Sequence, residues 1–259
     1  MMRIGFFDSG IGGITVLHQA LRLLPNEDYI FYADTVHVPY GEKPKEEVKE
    51  YIFNAVEFIA AQGVKALVIA CNTATSIAIE DLREKYDFPI LGIEPAVKPA
   101  VQKWELNRKK VLVLATNLTL KEEKFNKLVK RLDHQDIVDS LALPGLVEFA
   151  ENYQFDEDQV IGYLRKELSR FDLSQYGTVV LGCTHFPYFT NELRGLFSDD
   201  VDIISGSVGT AKNLRRILEA RQQLDIGSGD IVFYKSGDRV DDPVTLDQYQ
   251  KLMVMLDEL

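Results

Sequence analysis

Short apolar runs alternate with helical spacings along almost the whole chain, and this alternation narrows the fold more than any other feature of the sequence. RIGFF (3–7) stops at Asp8-Ser9-Gly10, and ITVLHQALRLL then carries apolar residues at helical spacing. YIFYA follows as a strand. KEEVKEYIFNAVEFIAAQG places Val48, Ile52, Ala55, Val56 and Ile59 on one face and stops at Gly63, a helix with a glycine end. KALVIA, SIAIEDLREKY and PILGI continue the order strand, helix, strand. Such alternation predicts α/β units with mostly parallel sheets.

The order then restarts. KKVLVLAT (109–116), KEEKFNKLVKRL, DIVDSLAL, DEDQVIGYLRKELSRF, GTVVLG, NELRGLF and VDIIS read as strand and helix in turn. VGTAKNLRRILEARQQL reads as a helix, IVFYK as a short strand and LDQYQKLMVML as a closing helix. The change between the halves is expected near residues 94–109, which hold two prolines.

A repeat underlies the restart. LVIACNTATS (67–76) and VVLGCTHFPYF (179–189) each run from an apolar strand through a small residue into Cys, then Thr. Each Thr, Thr73 or Thr184, is followed nine residues later by Leu-Arg. Each half also begins with an apolar strand ending in small polar residues, Asp8-Ser9 and Thr116-Asn117. From Asp8 to Cys71 is 63 residues, and from Thr116 to Cys183 is 67. The expected fold is therefore α/β, with two similar, pseudo-symmetric domains and the active site in the cleft between them. Ligands of open α/β sheets bind at the carboxyl ends of strands, so each half should deliver one cysteine into that cleft.

The bulk numbers limit the function. A net charge of -11 argues against a nucleic-acid surface, which needs clustered Lys and Arg. No apolar run approaches the roughly 18 residues of a membrane span, and residues 1–10 lack the features of a signal peptide. The expected location is cytoplasmic. Two cysteines are too few for a disulfide framework or a cysteine-built zinc site, and a Cys71–Cys183 bridge is disfavoured in a reducing compartment.

Two strand-end thiols, each read as starting a helix whose dipole favours thiolate, suit proton removal from one face of a carbon and delivery to the other. That is the logic of a racemase acting next to a carboxylate. A Cys/His/Asp hydrolase or transferase, and a redox-sensing binding module, are the other readings. A single buried Cys is most often packing. Two of them, each flanked by small polar residues, favour chemistry. His185 is placed to bond near Cys183, and Asp8 to orient or activate Cys71. The glycines of DSGIGG do not match a dinucleotide fingerprint, and VPYG (38–41) reads as a turn whose Tyr and backbone N–H can line a pocket.

FFDSGIGG, VPYG, ACNTAT and LGCTHFP, in this order and spacing, resemble bacterial glutamate racemase, of the cofactor-independent aspartate/glutamate racemase superfamily. The resemblance implies interconversion of L- and D-glutamate by two thiols, supplying D-glutamate for peptidoglycan, with neither metal nor pyridoxal phosphate. It implies catalytic roles for Cys71 and Cys183, assisted by Asp8, His185 and Glu151. It implies substrate binding by Asp8-Ser9, Tyr40-Gly41, Asn72-Thr73 and Thr184-His185, with Thr116 and Thr119 in a further loop. The resemblance also implies two α/β domains, 1–97 with a returning 207–259, and 98–206. His185, where aspartate racemases usually carry Glu, favours glutamate. The expected partner is the small-molecule substrate, with no nucleic acid and no membrane, and the expected assembly is a homodimer.

Overall fold

The computed structural model describes residues 2–133 and 135–259, with the side chains of 104–107 left aside. The first half runs β1 (Arg3–Asp8), α1 (Ile14–Leu23), β2 (Tyr29–Ala33), α2 (Lys45–Ala61), β3 (Val64–Ile69), α3 (Asn72–Lys85) and β4 (Ile90–Gly92). The second runs α4 (Val97–Asn107), β5 (Lys110–Ala115), α5 (Asn117–Lys121), α6 (Glu123–Leu132), β6 (Val138–Ala142), α7 (Pro144–Glu151), α8 (Glu157–Leu168), β7 (Tyr176–Leu181), α9 (Thr190–Arg194) and β8 (Asp202–Ser205). The chain returns through α10 (Ser207–Ala220), β9 (Ile231–Lys235), β10 (Asp238–Arg239) and α11 (Pro243–Asp257).

The strand orders make the repeat visible. One sheet is ordered β10-β9-β2-β1-β3-β4 and the other β6-β5-β7-β8, so the four core strands of each follow the same permutation. All pairs are parallel except β9 with β10. Even an irregularity recurs: the β1–β3 register shifts between Arg3 and Ile4, and the β5–β7 register between Lys110 and Val111. In both halves the first and third strands are neighbours. Asp8 therefore emerges beside the chain leading to Cys71, and Thr116 beside the chain leading to Cys183.

Both faces of these strands are covered, and alternate residues enter different cores. Phe6 of β1 and Val68 of β3 share one core with Leu112 of β5 and Val179 of β7, and this core runs through both halves. Phe7 and Ile69 face a second core under α2 and α3, and Val113 and Val180 a third in the other half. The returning chain is pinned by Lys65, which is 3% exposed. Its ammonium meets Glu27 Oε2 at 2.6 Å, Gln223 O at 2.7 Å and Asp225 Oδ2 at 2.9 Å. Removing one partner from such a buried pair costs about 3–5 kcal/mol, because the other charge is left uncompensated.

α4 fills most of residues 94–109, with Pro99 in its first turn, where the missing N–H has no helical acceptor anyway. One expectation is corrected: Cys183 does not open a helix as Cys71 does. After it come a tight turn, a short 3-10 segment at Phe186–Phe189 and then α9. No helix among the described residues is long and apolar enough to cross a membrane.

Candidate active site

The facing strand ends enclose a cavity of about 20 Å³. Ser9, Cys71, Asn72 and Thr73 line it from the first sheet, with Tyr40 and Gly41 from the loop after β2. Thr116, Cys183, Thr184 and His185 line it from the second. Pro39, within the VPYG turn, and Val147 complete the wall, and Val147 did not stand out in the sequence because it arrives from a distant helix. The space is close to that of one water and far below the ~300 Å³ at which small-molecule pockets begin. Asp8, Thr119 and Glu151 stand behind this lining.

Cys71 is 5% exposed and caps α3: its sulfur accepts Ala74 N–H at 3.4 Å, and its S–H points to Ser9 Oγ at 3.7 Å. The helix end and Ser9 favour a thiolate, but burial and then the Asp8 carboxylate outweigh them and push the Cys71 thiol well up. The expectation of a lowered value at this helix start is thus corrected. Desolvation exceeds the few N–H dipoles that face the sulfur.

Asp8 is fully buried. Its Oδ2 accepts Gly13 N–H at 2.6 Å, and Thr184 Oγ1 donates toward Oδ1 at 3.4 Å and Oδ2 at 3.3 Å. Burial pushes its carboxyl up to about 6, against the opposing pull of His185. His185 Nδ1 lies 3.6 Å from Cys183 Sγ, and its Nε2 lies 2.5 Å from Glu151 Oε1. Burial pulls the imidazolium down, but the bonds to Cys183 and Glu151 and their charges hold it well above the usual histidine value. Glu151 Oε1 also accepts Ile11 N–H at 2.8 Å across the cleft. The close approach needs Gly10, where any Cβ would collide with the Glu151 carboxylate.

The remaining wall is made of neutral donors. Thr73 Oγ1 lies 3.0 Å from Thr116 Oγ1 and 3.1 Å from Thr119 Oγ1, tying the halves together. Thr116 caps α5 by accepting Thr119 N–H at 3.2 Å. Gly41 presses on Thr116, with a Cβ there 2.6 Å from the Thr116 Cβ. The amide of Asn72 is buried and, among the described residues, finds no partner at nitrogen or oxygen. A buried amide left unpaired costs about 1–3 kcal/mol, which a polar ligand in the cavity would offset. Among the described residues no group of three or more His, Cys, Asp and Glu is placed to hold a metal ion.

The family model for Asp/Glu/Hydantoin racemase matches residues 15–212. The chain belongs to this family. It is 66% identical over 257 residues to "Glutamate racemase 2" of Bacillus subtilis, covering 99% of this chain and 97% of that protein. Escherichia coli glutamate racemase, solved with L-glutamate and the activator UDP-MurNAc-Ala, superposes with a TM-score of 0.82. It is 30% identical, and the match covers 96% of each chain. The Francisella tularensis glutamate racemase solved with D-glutamate gives 0.81 at 27% identity, over 100% of this chain and 94% of that one. For a member of this racemase family, a thiol from each half in one cavity has a direct chemical meaning.

Proposed function

We propose that this family member is a glutamate racemase in which Cys71 and Cys183 exchange the Cα proton from opposite faces of the substrate. The observation that carries the reading is that two buried thiols, brought by equivalent strands of a duplicated fold, line one cavity. The similarity to the B. subtilis enzyme supports glutamate as substrate. So do the neutral donors, which suit two carboxylates: Ser9, Asn72, Thr73, Thr116 and Thr184. The D-glutamate formed would serve peptidoglycan synthesis.

In each direction one cysteine, as thiolate, takes the Cα proton while the other, as thiol, protonates the opposite face. The two sulfurs end the turnover with their protonation states exchanged. Burial disfavours a thiolate at Cys71. The substrate's ammonium would supply a positive charge in the same low-dielectric space, with the buried Asp8 carboxylate to receive it. On the other side His185, held protonated by Glu151, provides the counter-charge for a thiolate at Cys183.

One further observation favours a second reading. Cys183, His185 and Glu151 form a nucleophile–base–acid chain at 3.6 and 2.5 Å, as a cysteine hydrolase would use. That reading leaves Cys71 dispensable and predicts a covalent intermediate on Cys183. Purified protein incubated with L-glutamate and, separately, L-aspartate separates these cases. The racemase reading expects D-glutamate from the first and far less product from the second. Absence of D-glutamate, or full activity in Cys71→Ala, would sink it.

A further inference from the structure

The two thiols are held by different means. Cys71 is fixed within its own half, between β3 and the first turn of α3. The turn carrying Cys183 closes locally through Phe186 N–H to Cys183 O at 3.2 Å and Tyr188 N–H to His185 O at 3.3 Å. The carbonyl between those two, on Thr184, is held from the opposite half: Thr15, in the first turn of α1, donates its hydroxyl to it at 3.0 Å. Thr15 is 2% exposed and Thr184 3%. The far end of the turn is gripped by the same segment, the Tyr188 hydroxyl donating to Ile11 O at 2.9 Å. Between these grips lies Gly12, where a Cβ would stand 2.5 Å from Thr184 Oγ1 and 2.6 Å from His185 Nδ1. Residues 11–15 thus form a bed on which the second thiol's turn rests.

We propose that Thr15 is a positioning residue for Cys183: its hydroxyl, given across the cleft to the Thr184 carbonyl, sets the Cys183-Thr184-His185 turn at the spacing from Cys71 that lets both sulfurs reach one Cα. The proposal builds on the racemase reading and adds a residue outside the cavity lining. Thr15 acts through a backbone carbonyl that sits between the thiol and its histidine. Reacting groups must be held to a few tenths of an ångström, and a misplacement of about 1 Å costs on the order of 10²-fold in rate. Valine at position 15 keeps the shape and removes the donor, leaving a buried carbonyl unpaired. Serine keeps the donor.

The test uses the full chain with Thr15→Val, Thr15→Ser, Thr15→Ala and Tyr188→Phe. It measures kcat and KM for glutamate in both directions and the alkylation rate of each cysteine by mass spectrometry. Thr15→Val is expected to lose about 10–100-fold in kcat both ways, with KM within about threefold. Its Cys183 alkylation rate should move while that of Cys71 stays at the wild-type value. Thr15→Ser should return kcat to within about threefold of wild type. A wild-type kcat in Thr15→Val, a Thr15→Ser as impaired as Thr15→Val, or alkylation rates that change together at both cysteines would overturn the proposal. Should Thr15→Val fail to fold, Thr15→Ala carries the test against Thr15→Ser, with the same kcat loss and an altered Cys183 rate alone, while Tyr188→Phe, which frees the far end of the turn, should lose about 3–10-fold in kcat. A wild type unable to racemise glutamate would sink the racemase reading. The alkylation rates would still decide this proposal, since an unmoved Cys183 overturns it in either case.

Discussion

The Cys71 and Cys183 loops begin as copies and end as opposites. Each leaves the third strand of a four-strand unit with the same order and the same register slip. Cys71 then caps a 14-residue helix and is oriented by its own local structure. Cys183 enters a tight turn and is oriented by contacts from the other half, through Thr15, Asp8 and Ile11, and by Glu151 of its own half through His185. Equivalent strands supply the two thiols, and the chain that follows each gives them different supports. Asp8, acceptor for both Gly13 and Thr184, stands on the Cys71 side, and the His185–Glu151 pair stands on the Cys183 side. A pair of bases serving both enantiomers does not need mirror-image surroundings, provided each sulfur reaches the same carbon.

The largest expected effect tests whether both loops matter equally. Cys71→Ala and Cys183→Ala should each reduce racemisation by about 10²–10⁴-fold, the range for loss of a general acid or base. A variant retaining activity would break the comparison outright. Gly12→Ala should follow, with about a 10²-fold loss in kcat, because the new methyl displaces Thr184 and His185 but not Cys71. Alkylation of the two cysteines reads the asymmetry directly. Glu151→Gln should cost about 10–100-fold, since the amide keeps the shape but lacks the charge that holds His185 protonated.

The support on the Cys71 side has a pH signature. Asp8 titrates near 6 in the folded chain against 3.8 when unfolded, so the folded state holds its proton more tightly. Below pH 3.8 both states are protonated and the group contributes nothing. As pH rises from about 4 to 6 the folded state loses stability relative to the unfolded one, by about 3 kcal/mol in total. Asp8→Asn removes this loss, so denaturant unfolding without substrate should find the variant gaining on wild type through that window. A gap independent of pH would show that the buried carboxylate is not the cause. The smallest effect is expected at Ser9→Ala, which removes the acceptor facing the Cys71 S–H, at about 0.5–1.5 kcal/mol or a several-fold change in kcat/KM.

The α/β order and the two cysteine segments were legible in the sequence because strand ends are punctuated by small polar residues and helices by period. Asp8, Cys71, Thr116 and Cys183 all sit at such ends. The turn after Cys183 was misread as a helix start because Leu193-Arg194 repeats the spacing of Leu82-Arg83, while Pro187 and the aromatics around it build a 3-10 segment. The raised Cys71 thiol was missed because burial is a tertiary property, whereas the helix dipole that opposes it is local. Thr15, Val147 and Tyr188 carry no local signal at all. Thr15 meets a carbonyl 169 residues away, and no window of sequence contains both.

The most direct test of the two-thiol account follows hydrogen at Cα. Protiated L-glutamate is incubated with the enzyme in deuterated water, and both enantiomers are isolated at low conversion. Two thiols on opposite faces predict that the D-glutamate formed carries solvent deuterium at Cα while the recovered L-glutamate remains protiated, with the mirror result starting from D-glutamate. Product that keeps its original proton, or deuterium entering recovered substrate as fast as product forms, would mean that one base serves both faces and would contradict the account.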